Sequence, residues 1–425
     1  MTDAAPTQAR LTQERLKKRY ASEARFKTYG RLAIIIALSF LVLLIGRIVI
    51  QGIGTFTTNT VTLQVYLDPA KVDPAALEGV NYDYMIGLAL LKKMGETEDE
   101  YGTNSGEAMD LVSRDLGFQL LNRLKADKSL IGKTVSVTGP MKADADLYYK
   151  GELKRATPES DRKLNNRQLD WLDRLKKDGA VTGGFNVAFF THGDSTEPEQ
   201  AGVLGAVIGS ALMLIVTALI AVPMGVLAAV WLEEFAPKNR WTDIIEVNIN
   251  NLAAVPSIVY GLLGLAVFIN WLGMPRGAPI TGGVVLALMA LPTIIIATRS
   301  ALKAVPPSIR EAALGVGASR TQTVFHHVLP QAMPGVMTGT ILSLAHALGE
   351  TAPLLMIGMI AFNPGIPEGF TSSASVLPVQ VFIWENASER AFHERTAAAI
   401  IVLLAFMIVM NAAAVILRRR FERRW

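Results

Sequence analysis

The chain has 425 residues, 51% of them hydrophobic and 18% charged, with a formal net charge of +4 and no cysteine. A mean hydropathy of +0.33, with several apolar runs approaching the ~20 residues that cross a bilayer, excludes an ordinary soluble enzyme and predicts an integral membrane protein. The missing thiol excludes disulfides, thiol catalysis and Cys-based metal sites.

Residues 1–31 form a basic tail with Arg15, Lys17, Lys18, Arg19, Arg25, Lys27 and Arg31. Basic residues from Arg10 to Arg31 and from Arg418 to Arg424 flank apolar spans, a placement that fixes topology and argues against a nucleic-acid partner. Residues 32–50 are the first span, read as an uncleaved anchor. A signal peptide is the alternative, but the run exceeds the roughly 7 to 15 residues of such a segment, and Gln51-Gly52-Ile53-Gly54 offers no cleavage pattern.

Residues 51–202 are richer in charge, with Lys92, Lys93, Glu96, Glu98, Asp99 and Glu100 close together, and are long enough for one compact domain. Alternation predicts strands over Val61–Leu67 and Lys133–Thr138, an amphipathic helix over Gly106–Leu124, and a polar helix over Asp161–Lys177 carrying Leu164, Leu169, Leu172 and Leu175. The expected class is α+β.

Five further spans follow, at about 203–231, 247–272, 281–303, 335–361 and 396–417. The whole is thus an all-α polytopic membrane protein with six spans and an inserted α+β domain. Pro223, Pro256 and Pro292 fall inside spans, where neighbouring helices satisfy the freed carbonyls. Trp231, Trp241 and Trp271 lie near the expected interfaces, and Gly202, Gly205, Gly209 and Ser210 permit close helix approach. Residues 418–425 are a second basic tail with Arg418, Arg419, Arg420, Arg423 and Arg424. The positive flanks put both termini in the cytoplasm, and six crossings then put residues 51–202 outside and the 304–333 loop, with Lys238 and Arg240, inside.

In that loop Pro306-Pro307 stops the preceding span, and Ser308-Ile309-Arg310-Glu311 fits a capping box. Ile309, Ala312, Ala313 and Val316 then share one helical face, and Gly315 and Gly317 end the helix. Ser319-Arg320-Thr321-Gln322 is a second capping box, opening a helix with Val324, Phe325, Val328 and Leu329 on one side that ends before Pro330. The outcome is a bent helix pair with small residues at an exposed bend, open to a large partner or lying on the membrane surface.

Glu311-Ala312-Ala313, Gly317, Leu329 and Pro330 resemble the EAA loop of ABC importer permeases, with His327 departing from the apolar residue usual there. The resemblance covers about residues 203–361. Asn251 to Leu262 is similar to the third-span motif of phosphate importer permeases, and Ala347-Leu348-Gly349-Glu350-Thr351-Ala352-Pro353-Leu354-Leu355 to the fifth-span motif of the PstA-type subunit. The resemblance implies a type I importer permease fold, with 32–200 an extension found in some members. It also implies an ATP-driven phosphate path shared with a PstC-type permease. A PstB-type ATPase dimer on the Glu311 loop uses ATP and Mg, and a periplasmic binding protein delivers phosphate. Other oxyanion permeases, for sulfate, molybdate or phosphonate, share the loop but not the segment around Glu350.

Glu350 falls near the centre of the fifth span, where an unpaired carboxylate is expensive. His346 lies one turn earlier on the same face, at a position the family commonly gives to Arg. His346, Glu350, Thr351 and Arg299 are the candidate translocation-path or intramembrane polar residues. Arg299 and Arg47 read alternatively as snorkelling to the interfaces, Glu350 as an interhelical or subunit-interface hydrogen-bonding group, and Asn248, Asn250 and Asn251 as helix-entry residues. His326 and His327 lack carboxylate companions at ligand spacing, so no metal site is expected. No phosphate-cradling G-x-x-x-x-G-K-[ST] loop occurs, so no nucleotide cofactor is expected on this chain and it is read as a non-catalytic subunit. A membrane receptor with 51–202 as its sensor is the reading from another class, but only about eight residues follow Leu417 as an output module.

Overall fold

The computed structural model describes residues 4–96 and 101–421. Arg423 and Arg424 of the basic tail, and Glu98, Asp99 and Glu100, lie outside the described residues. The chain divides into two units, 1–51 and 52–425. The first is occupied by one helix, α1 (Ala4–Gly52), whose polar opening turns lead without a break into the apolar run. The helical stretch Arg15–Phe56 is long and apolar enough to cross a membrane.

In the second unit the chain first builds an α+β module. Strand β1 (Thr57–Tyr66) buries Val61, Leu63 and Val65, with Leu67 just beyond, and turns Thr60, Thr62, Gln64 and Tyr66 outward, the two-residue period of a half-buried strand. Helices α2 (Tyr82–Met94), α3 (Tyr101–Met109) and α4 (Asp115–Ala126) follow. The single helix expected over Gly106–Leu124 is therefore two. Its backbone turns away after Met109 because Val112 bridges Met141 and the Ser113 amide donates to the Pro140 carbonyl at 3.1 Å. Next come β2 (Thr134–Pro140), α5 (Ala143–Lys150) and α6 (Asn166–Lys177). The last starts five residues later than the pattern suggested, because Asn165 and Gln168 form the capping box that fixes its first turn.

Strand β3 (Val181–Phe185) completes an antiparallel sheet of order β2-β1-β3. Its Thr-Gly-Gly centre carries no alternation, which is why the sequence pattern passes over it. One core joins the inner face of β1 to Leu90, Leu116, Leu120, Trp171 and Leu172 of the helices.

After α7 (Val187–Thr191) the chain enters the helical bundle with α8 (Leu204–Val230), which runs on through a π-turn, Trp231–Phe235. Then come α9 (Arg240–Ala253) and α10 (Ser257–Leu263), the latter extended by a second π-turn to Ile269. The span expected over 247–272 is thus not one helix: α9 and α10 meet at a 103° bend. Pro256 supplies the cause, since proline disfavours a helical residue before it and has no N–H to give.

Helix α11 (Pro279–Lys303), the loop helices α12 (Pro307–Gly315) and α13 (Arg320–Gln322), then α14 (Leu329–Gly349), α15 (Ala352–Met356), α16 (Leu377–Glu385) and α17 (Arg390–Phe421) complete the bundle. Among the described residues five helices are long and apolar enough to cross a membrane, and six spans result if the bent pair is one.

Small residues set the closest contacts. A Cβ on Gly225 would meet Ile294, and one on Gly339 would meet Ala297, so α8 and α14 both press on α11. Gly209 serves a different neighbour: the Ser375 carbonyl occupies the space its Cβ would take. Polar bonds join the α+β module and the following strap to the bundle. The Trp384 indole donates to Asp194 at 2.9 Å, Arg395 to the Ala201 carbonyl at 2.5 Å, and the Ala143 amide to Glu199 at 3.2 Å.

Candidate functional site

The loop between α11 and α14 begins with Pro306 at the N-cap and Pro307 in the first turn of α12. No side chain caps this helix, so the box expected from Ser308 and Glu311 does not form. Pro307 removes one of the orphan donors a cap would have served, and Ser308 lies inside the first turn. Glu311 is thereby left exposed. Ala313 is buried and Ile309 half-buried, whereas Ala312, Leu314 and Val316 face outward, Val316 at 86% exposure. The apolar face is narrower than the periodicity implied, and the small and apolar residues opposite it are open.

Helix α12 ends in a paired hydrogen bond. The Ala318 amide donates to Ala313 at 3.0 Å and the Gly317 amide to Leu314 at 3.0 Å, with Gly317 at φ +89°, which together define a Schellman ending. The second capping box is present: the Gln322 amide donates to the Ser319 hydroxyl at 3.2 Å, and the Ser319 amide to the Gln322 side chain at 2.9 Å. The helix it opens does not end before Pro330. It runs without a break through a π-turn, Thr323–Val328, into α14, so Leu329 and Pro330 lie within a continuous helix directly after the wider turn. Val324 and Val328 are buried, and Phe325 and His327 are exposed.

Six charged residues that the motif did not single out hold the base of this loop. Arg310 of α12 donates to Glu234 at 2.6 Å and also to the carbonyls of Val305, at 2.8 Å, and Leu302, at 3.0 Å. Next to Glu234 in the π-turn, Glu233 faces α11, accepting from Arg299 at 3.3 Å with Lys303 at 3.7 Å. Arg299 also reaches Glu246 of α9 at 2.5 Å. Two carboxylates from two other helices hold Arg299 at 14% side-chain exposure. Each of the carboxylate partners of Arg299 and Arg310 lies at least 53 residues away, beyond the reach of local spacing rules.

Glu350 stands where α14 stops, not at the middle of a helix. It is the C-cap, with extended backbone (φ −77°, ψ 123°). Thr351 follows, and Pro353 in the next short helix prevents continuation. A carboxylate there adds to the negative end of the helix dipole, so a cation nearby is needed. His346 Nε2 is 3.3 Å from the Glu350 carboxylate, with Glu350 at 22% and His346 at 70% side-chain exposure. An imidazole serves as that cation only when protonated. Arg47 is exposed on α1, and the Asn248 amide bonds within its own helix to Ile244 at 2.7 Å. Among the described residues no group of three His, Cys, Asp or Glu is placed to hold a metal ion.

Comparison with known proteins matches two stretches of the chain. Residues 13–159 match a domain family of unknown function, DUF3333, and residues 221–425 match the family described as binding-protein-dependent transport system inner membrane component. A Bacillus subtilis protein described as a probable ABC transporter permease, YqgI, is 38% identical over 168 residues, 39% of this chain and 56% of its own. The phosphate transport system permease protein PstA 1 of Mycobacterium tuberculosis is 34% identical over 188 residues, 44% of this chain and 60% of its own. The chain thus spans less than two thirds of the length of these curated relatives. A solved methionine ABC transporter in inward-facing form, MetNI, gives a TM-score of 0.42 at 19% identity over 52% of this chain and 95% of its own. The second matched stretch, residues 221–425, holds the loop, the ion pairs at its base and Glu350.

Proposed function

We propose that this chain is the transmembrane subunit of an ATP-driven phosphate importer, coupled to a separate ATPase through the Glu311 loop. The observation that carries the reading is the loop itself: α12, with Glu311, Ala312, Leu314 and Val316 outward, closed by the Schellman turn at Gly317. Such a helix offers a partner a carboxylate and a small-residue surface without a side chain having to move away. Similarity to phosphate permeases supports phosphate as the substrate. In this reading the loop and both termini are cytoplasmic, and residues 51–202 are periplasmic, beside the face to which a phosphate-binding protein delivers its cargo. A PstC-type permease supplies the other half of the path, and a PstB-type ATPase dimer grips the loops and uses ATP and Mg.

ATP-driven closure of the dimer moves α12 and exposes the path to alternate sides, which requires the two states to differ in their affinity for the closed ATPase. Glu350, Thr351 and His346 line or support that path. Arg299, held by Glu233 and Glu246, belongs to the base of the loop instead. The test is reconstitution of this chain with its partner permease, ATPase and binding protein in liposomes. ATP-dependent uptake of labelled phosphate, lost by about tenfold or more, roughly 1.4 kcal/mol, on Glu311→Ala, supports the assignment. Uptake of sulfate or molybdate in preference to phosphate refutes the substrate, and normal ATPase co-purification and uptake with Glu311→Ala refutes the loop.

A further inference from the structure

Glu233 and Glu234 are adjacent, yet they serve different elements. Glu233 is bound by Arg299 and Lys303 of α11, and through Arg299 it is tied to Glu246 of α9. Glu234, 8% exposed, is bound by Arg310, the residue before Glu311. Adjacent side chains on a helical turn point roughly 100° apart, so the two carboxylates of the turn Trp231–Phe235 reach different neighbours. Arg310 is at the same time fixed to the Leu302 carbonyl in the last turn of α11 and to the Val305 carbonyl just beyond it. Around these bonds lies an apolar cluster of Val230, Leu302, Val305, Val324, Val328 and Ala332.

We infer that the Arg310–Glu234 pair is the joint through which movement of the Glu311 helix enters the spans, with Arg310 and Glu234 as positioning residues for coupling; this rests on the permease reading above. The geometry requires the connection to be stiff. A guanidinium with three acceptor groups, at 2.6 Å to Glu234, 2.8 Å to Val305 and 3.0 Å to Leu302, leaves α12 no independent rotation relative to α8 and α11. Screening by salt is weak at such a buried pair. The Glu233–Arg299–Glu246 arm then carries α9 along with α8 and α11. Without the Arg310 bonds, α12 still presents Glu311 and its open face to an ATPase, but its displacement is absorbed at its own base.

The experiment compares Glu234→Ala, Arg310→Lys, Arg310→Ala and the double variant Glu234→Ala/Arg310→Ala in the fully reconstituted complex. It measures ATPase co-purification, ATP hydrolysis and phosphate uptake per complex. The joint predicts that the ATPase still co-purifies with each, and that ATP hydrolysed per phosphate rises about tenfold in both alanine variants. It predicts a smaller rise in Arg310→Lys, which keeps the charge but not the fork, and a double variant no worse than the single ones, as for two halves of one contact. Hydrolysis and uptake falling together at an unchanged ratio overturns the inference, because the pair then serves only the fold. Additive single effects, or a wild-type ratio throughout, overturn it as well. Absence of ATP-dependent phosphate uptake by the wild-type complex overturns the permease reading, and the joint with it.

Discussion

Gly317 is the residue on which the shape of the coupling loop turns. Its φ of +89° lies in the left-handed region, and nothing stands within 4 Å of where a Cβ would project. Gly317→Ala therefore meets no neighbour, and its whole cost is backbone strain, roughly 1–2 kcal/mol for an L-residue in that region. A cost of that size leaves a bundle of this extent folded but reduces the population of the closed Schellman turn by about 5- to 30-fold. Gly315, two residues earlier, is also open to solvent but lies in the helix. There the same exchange stabilises by up to about 1 kcal/mol, because alanine loses less entropy on becoming helical. The two variants are to be compared by titrating purified ATPase against the permease in detergent and by thermal unfolding of the permease alone. Gly317→Ala is expected to weaken ATPase binding about tenfold with little change in unfolding temperature, and Gly315→Ala to preserve or tighten it. Equal ATPase affinity for the two variants would refute the argument that the left-handed turn sets the docking geometry.

Burial raises the pKa of Glu199, 4% exposed, from 4.5 to about 7. A carboxyl raised on folding binds more protons in the folded than in the unfolded chain between those values, so stability is greatest below about 4.5 and falls as pH rises to about 7. The upper limit of that loss is about 3 kcal/mol, and Glu199→Gln is expected to flatten the unfolding temperature between pH 5 and 8 when measured by calorimetry. Trp384→Phe keeps the ring packed near Phe189 and Phe392 but leaves buried Asp194 without its indole donor. A loss of about 1–3 kcal/mol is expected in chemical denaturation, and none if solvent reaches Asp194. Gly209→Ala places a methyl on the Ser375 carbonyl. Overpacking against backbone costs about 1–3 kcal/mol or more, read as lower yield of monodisperse protein, with Gly30→Ala, which meets nothing within 4 Å, as the reference.

What the sequence made legible follows from the range of the forces involved. Apolar length and alternation are local, so the long helices, β1 and β2 could be located, and the Ser319–Gln322 box could be read from four residues. The Ser308 box failed although its four residues fit the same pattern, because Pro307 had already claimed the first turn. Pro256 was visible, but a proline inside a span is compatible with a kink or a complete break, and nothing in the local pattern chooses the 103° bend. Glu350 was recognisable as costly, and its place at a helix end depended on Pro353 being read as a stop. The partners of Arg299 and Arg310 were beyond reach, since nothing at 233, 234 or 246 announces which distant guanidinium it will meet.

The sheet module enters and leaves the chain at one place. Thr57 pairs with Phe185 across β1 and β3, and one step further out the Asn186 amide donates to the Phe56 carbonyl at 2.9 Å. The backbone at 56 and at 186 is thus already hydrogen-bonded together, so the insert closes on a two-strand stem, with Ala143–Glu199 and Lys163–Glu389 as further ties to the strap and to the turn before α17. The insert is closed at its root and propped at its side, since Ala391 of α17 belongs to its apolar core. A change of length in a loop away from that stem and those props leaves Phe56 and Asn186 where they are, whereas a change at Ala143 or Lys163 also reaches the strap or the last helix.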